Sequence, residues 1–112
     1  MLGRVAQMFG GRSGETTVAS ATTTYVPDNA SWVYITGTAT ITTLSPSDLV
    51  GKNRLVVFCA SGTGAAVTFT NTNSPSAAGS MYLHGANRTI FEGETLWLYY
   101  KTDGTWQIAI TP

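Results

Sequence analysis

A single all-β domain is what this sequence predicts, and three observations predict it. Apolar and polar residues alternate with a period of two through much of the chain beyond residue 25. Turn-forming Gly, Asn and Asp punctuate it at short intervals, and no segment offers an amphipathic helix of ten or more residues. The octet Ile35-Thr36-Gly37-Thr38-Ala39-Thr40-Ile41-Thr42 shows the alternation best, with small or apolar residues at the odd positions and threonine at every even one. Successive side chains of a strand point to opposite faces, so one face is buried and the other carries a threonine ladder. The expected architecture is a β-sandwich or jelly-roll-like domain of about seven or eight strands over residues 25–112. An extended N-terminal arm, residues 1–24, precedes it.

Along the arm neither period is sustained. Its middle, residues 10–17, is rich in glycine and hydroxyls, while Val5, Met8 and Phe9 form an apolar cluster suited to anchoring on a partner surface. Pro27 with Asp28-Asn29 turns the chain into a long strand over residues 32–44, bent near Gly37 or at Thr42-Thr43, where the alternation slips. Ser45-Pro46 suits the start of one helical turn before Gly51. Residues 54–60 are apolar throughout after Arg54, as a strand covered on both faces should be. Ser61-Gly62-Thr63-Gly64 turns into a strand at 66–70 with Val67 and Phe69 on one face, and residues 71–80 form a polar loop. Short strands follow at 81–83 and 88–90, then a turn at Glu92-Gly93-Glu94. Residues 95–101 put Leu96, Leu98 and Tyr100 on one face and Trp97 and Tyr99 on the other. Asp103-Gly104 marks a hairpin into a last strand, with Trp106, Ile108 and Ile110 alternating inward.

Composition narrows the function. Charged residues make up 11% of the chain, six basic and six acidic, for a formal net charge of zero. An ordinary soluble domain has about 25%, and so neutral a surface is best tolerated when neighbours cover it. No basic stripe exists for nucleic acid, since Arg4, Arg12, Lys52, Arg54, Arg88 and Lys101 never form a run. No segment reaches the ~18 apolar residues of a membrane helix. The lone Cys59 excludes an intrachain disulfide and fits a reducing compartment.

Residues suited to chemistry are few. His84, the single histidine, adjoins Gly85 and is expected in a turn; a metal shared by three copies on an axis is the one arrangement it leaves open. Glu92 and Glu94 flank a turn glycine and are expected in solvent. Cys59 has no cationic neighbour in sequence to activate it. No nucleophile elbow, phosphate loop or metalloprotease motif occurs, so neither an enzyme nor a cofactor is expected. Trp97 and Tyr99 must be covered by another element or by another subunit, because in water they would make an unusually apolar patch. Thr36, Thr38 and Thr40 join them as candidates for an oligomer interface. A sugar-stacking platform of Trp97, Tyr99, Tyr100 and Trp106 is the alternative for the aromatics.

The segments 35–44 (ITGTATITTL), 51–58 (GKNRLVVF), 67–71 (VTFTN), 90–100 (IFEGETLWLYY) and 103–108 (DGTWQI) follow one another in an order that resembles a β-module of tailed-bacteriophage virion proteins. The resemblance covers about residues 33–110 and consists of strand and turn patterns. It implies a trimeric structural protein, either a small capsid decoration (cement) protein or a tail-fibre or tail-spike domain that touches a host glycan. A chain running from Met1 through a short arm to Pro112 favours decoration. On that reading the partners are the major capsid protein, met by Val5, Met8 and Phe9, and further copies of the chain, with the protein made in the host cytoplasm and placed on the capsid surface.

Overall fold

The computed structural model describes residues 14–27, 30–45 and 53–109. They are all-β: eleven short strands and, among the described residues, no helix. In chain order these are β1 (Gly14–Ala19), β2 (Thr23–Tyr25), β3 (Ala30–Thr36), β4 (Thr40–Ile41), β5 (Thr43–Ser45), β6 (Arg54–Ser61), β7 (Ala66–Phe69), β8 (Met81–Tyr82), β9 (Arg88–Phe91), β10 (Thr95–Tyr100) and β11 (Trp106–Ile108). A six-stranded sheet runs in the order β1-β3-β6-β10-β11-β8, β4-β7-β9 form a second sheet and β2-β5 a third.

Parallel neighbours require a crossover between them, commonly a helix. Here strands of the smaller sheets supply it. β1 and β3 are parallel, as are β3 and β6. β2 lies between the first pair in sequence, and β4 and β5 lie between the second. The chain thus leaves the large sheet and returns to it, so residues from all three sheets close on one core that includes Ile35, Leu44, Phe58, Phe69, Leu98 and Trp106.

Two differences from the sequence reading have a local cause. Residues 32–44 are three strands in three sheets, not one bent strand. The inside-outside parity continues through the first corner, where Ile35 and Ile41 are both buried, and shifts by one residue at the second, where two threonines separate Ile41 from the next buried residue, Leu44. The first corner is at Gly37, where φ is +90° and a Cβ would lie 2.9 Å from Ser20 Oγ. Ser20 Oγ in turn accepts the Ala39 N–H at 3.2 Å. At the second, the Thr42 and Thr43 N–H groups both donate to Thr22 O.

The second difference concerns the arm. Residues 14–19 and Thr23-Thr24, placed there by sequence, lie in β1 and β2, which pair with β3 and β5. Val5, Met8 and Phe9, the helical turn after Ser45 and the inward Ile110 lie outside the described residues.

The core is tied together at Trp106, which is fully buried. Its indole stacks on Tyr100 at 4.8 Å and meets Phe58 edge-on at 6.0 Å, and Phe58 meets Phe69 at 5.7 Å. Trp106 Nε1 donates to Leu44 O at 3.1 Å. One side chain therefore joins the large sheet to β5 directly and to β7 through Phe58. Gly79 closes the same region, donating to Gly104 O at 2.9 Å and accepting from Leu44 N at 3.0 Å. The β10–β11 hairpin turns at Asp103-Gly104, as the sequence indicates. Asp103 Oδ1 accepts from Thr105 Oγ1 at 2.6 Å and Thr105 N at 2.9 Å, and these bonds lower the carboxyl pKa.

Candidate functional site: the outer faces of the sheets

Each sheet turns one face to the core, and the two larger ones turn the other outward. On the six-stranded sheet, Val33 and Ile35 of β3, Val56 and Phe58 of β6, and Leu96, Leu98 and Tyr100 of β10 point inward. Alternation sends their sequence neighbours outward, and the register places these in rows. Trp32, Val57 and Trp97 sit side by side on β3, β6 and β10; Tyr34, Cys59 and Thr95 form the next row. Leu55, Tyr99 and Gln107 form another toward the far end. β1 adds Glu15 beside Trp32 and Thr17 beside Tyr34.

This face is aromatic and nearly uncharged. Val57 is 0% exposed and Cys59 8%, yet neither belongs to the core cluster, because both are on the opposite side of β6 from it. The rings of Trp32 and Tyr34 meet edge-on at 6.2 Å. Tyr34 Oη donates to Glu15 Oε1 at 3.2 Å, and this bond, with the charge behind it, raises the tyrosine pKa, so the hydroxyl keeps its proton. Trp97 Nε1 donates to Thr95 Oγ1 at 3.3 Å, while Tyr99 remains 36% exposed. An open depression of about 470 Å³ lies at this end, lined by Tyr99, Lys101, Gln107, Ile108 and Ala109.

The three-stranded sheet shows a different surface. Thr40, Thr68 and Thr89 stand in one row across β4, β7 and β9. The last two share a hydrogen bond of 2.8 Å between their hydroxyls. Phe91, 57% exposed, lies in the same sheet opposite Ala66.

The structure separates the sequence-derived interface candidates. Thr36, Trp97 and Tyr99 belong to the outer face of the six-stranded sheet, Thr40 belongs to the other sheet, and Thr38 lies in the bend between them. The sugar-stacking platform does not hold together, since Tyr100 and Trp106 are 3% and 0% exposed and face the core. Trp32 and Tyr34 were missed as surface aromatics. The signal for them was available: they alternate with Val33 and Ile35 as Trp97 and Tyr99 do with Leu96 and Leu98. The Thr40–Thr68–Thr89 row was not legible, because its strands lie far apart in sequence.

Residues suited to chemistry remain scattered. His84 is in a turn with φ of +59° and its ring 5.5 Å from Tyr82. Glu94 Oε1 accepts the Phe91 N–H within its own turn at 2.8 Å. Among the described residues no three His, Cys, Asp or Glu side chains group as a metal site. The 71–87 region is organised by Asn71, whose Oδ1 accepts from Leu83 N at 2.8 Å and Gly85 N at 3.2 Å. Arg88 supports it by donating twice to Leu83 O, at 3.0 and 2.9 Å.

Burial raises the Cys59 pKa, so little thiolate forms near neutral pH. Cys59 is therefore expected to react slowly with a disulfide reagent in the native protein and at once after unfolding in guanidinium. Absorbance stopped-flow would show this, and rapid native reaction would contradict the placement. Compared with known proteins, the chain matches no family model, no curated sequence and no solved structure.

Proposed function

We propose that this chain is a structural virion protein of a tailed bacteriophage, a capsid decoration protein that holds neighbouring shell subunits together. Its three sheets are read as a β-sandwich, the six-stranded sheet forming one layer and the three-stranded sheet the other. The observation that carries the reading is the pair of outer faces, one aromatic and one lined with threonine, on a chain of zero net charge. Such surfaces are poor at keeping a small domain apart from its neighbours and well suited to lying flat against them. The order of strands and turns that resembles phage virion modules supplies the class of partner.

On this reading the work is mechanical. The domain associates with further copies as a trimer, and the segment carrying Val5, Met8 and Phe9 lies on the major capsid protein. Several modest contacts held in one assembly give firm attachment, because each later contact forms at high effective concentration. No catalytic step and no cofactor enter.

A chain beginning at Gly14 tests this, since the cut spares β1. It is expected to keep the native circular dichroism spectrum and to lose most of its co-sedimentation with purified heads. Undiminished co-sedimentation would remove Val5, Met8 and Phe9 from the account. The second reading, a tail-fibre or tail-spike module touching a host glycan, draws on the depression beside Tyr99, where Gln107 and Lys101 offer polar groups next to a ring. Binding to host cells without attachment to heads would favour it.

A further inference from the structure

We propose that the outer face of the six-stranded sheet is the contact surface between copies of this chain, with Glu15 of one copy meeting Lys101 of another. The inference rests on the reading of the chain as an assembly protein and specifies which surface assembles. Among the described residues this face carries two formal charges, one on the edge strand β1 and one just past the end of β10, the fourth strand of the six. Glu15 is on the edge strand β1, in the row of Trp32, Val57 and Trp97. Lys101 follows the end of β10, four positions beyond Trp97. Three strand spacings in one direction and four residues in the other set them roughly 20 Å apart.

Between the two charges the face is apolar, with Trp32, Val57, Leu55, Trp97 and Tyr99. A two-fold axis lying in the face, perpendicular to the line joining the two charges, sets each Glu15 opposite a Lys101. A closed ring in which the β1 edge of one copy meets the Lys101 end of β10 in the next also pairs the charges. Both arrangements pair the charges, and the two-fold one also buries the apolar middle, so this pattern of charge fits a second copy of the same surface.

Shape agrees, and size points to a modest contact. The depression of about 470 Å³ surrounds Lys101 and has room for a carboxylate side chain and part of the Tyr34 ring beside it. The four strands spanned by the two charges, β1, β3, β6 and β10, lie about 4.8 Å apart and run roughly 20 Å, for a flat footprint of about 380 Å². Accessible area follows side-chain relief and exceeds the footprint, but stays below the ~800 Å² per partner of a standard stable contact, so association should depend on concentration. Within one copy Lys101 has a loose pairing with Asp103 at 3.9 Å, with side chains 38% and 58% exposed. Asp103 is already held by Thr105, so the ammonium remains available to a second carboxylate.

The test is a charge swap in the full chain, read as mass by light scattering over a concentration series at low and high salt. The native protein is expected to form a discrete oligomer. Glu15→Lys and Lys101→Glu should each raise the dissociation constant at least tenfold with the circular dichroism spectrum unchanged, and the double swap should restore association. Trp97→Ser, which alters the middle of the face and spares the core, should also weaken association.

A native monomer at every concentration would overturn the proposal, as would single swaps without effect or a double swap that fails to rescue. Co-sedimentation with heads is read separately. A native oligomer that fails to bind heads sinks the decoration reading and leaves this interface standing. Swapped monomers that still bind heads likewise assign the face to contacts between copies.

Discussion

Trp106→Ala is expected to cost about 3–5 kcal/mol of folding stability, the range for truncating a fully buried tryptophan. The position makes the upper part of that range the expectation. The indole is 0% exposed, stacks on Tyr100 and meets Phe58, so its removal leaves a cavity where the three sheets converge. It also strands the carbonyl of Leu44, which accepts from Nε1 and would stay buried without that donor. At about 4–8 °C per kcal/mol for a domain of this size, the thermal midpoint should fall by more than ~10 °C. Trp106→Phe separates the two contributions, because it keeps most of the packing and loses the hydrogen bond. Its cost should be about a third of the alanine value. Thermal or urea unfolding followed by tryptophan fluorescence would measure both, and equal, small effects would contradict the role given to Trp106.

Gly79→Ala should be nearly as damaging for a different reason. At Gly79 φ is +87°, and a Cβ would sit 2.6 Å from Thr43 Cγ2 and 2.8 Å from Leu44 O. The left-handed conformation costs an L-residue about 1–2 kcal/mol. Overpacking adds about 1–3 kcal/mol, because the Leu44 carbonyl is backbone and cannot swing aside. Gly93 is the internal control: its φ is +85° and nothing lies within 4 Å of a Cβ there. Gly93→Ala should therefore cost only the conformational part. A chemical-denaturation midpoint that falls clearly further for Gly79→Ala than for Gly93→Ala is the expected result. Equal midpoints would mean that Gly79 does not clamp β5 to the hairpin turn.

What the sequence disclosed depended on whether a signal was local. The two faces of residues 95–100, the doubly covered run at 54–60 and the Asp103-Gly104 hairpin all follow from neighbouring residues and were read correctly in position and direction. β1 was not recognised as a strand. It is an edge strand whose inward residues are only half-buried, with Val18 touching the core, so threonine-rich residues 14–19 carry little apolar contrast. The division of residues 32–44 among three sheets was hidden because the parity survives the corner at Gly37, and the slip at Thr42-Thr43 reads equally as a bend within one strand. Gly79 and Asn71 owe their importance to partners far along the chain, Leu44 and Gly104 for one, Leu83 and Gly85 for the other.

The outer face shows the same limit. The continuous run at 54–60 indicates that both sides of β6 are covered, yet Val57 and Cys59 share a surface with Trp32 and Trp97 only because β3 and β10 flank β6. Sequence alternation put Trp97 and Tyr99 on one face of their strand, to be covered by another element or by another subunit, without saying which. Only the strand order showed that Trp32 and Tyr34 extend the same patch and that Thr40 lies on another sheet.

The account turns on a protein built to lie against a larger shell and against itself. Electron cryomicroscopy of virions carrying this chain, compared with virions from which its gene has been deleted, tests that most directly. Extra density is expected on the outside of the head at junctions between shell subunits, absent from the deletion particles. Density confined to the tail, or two indistinguishable sets of particles, would contradict the account.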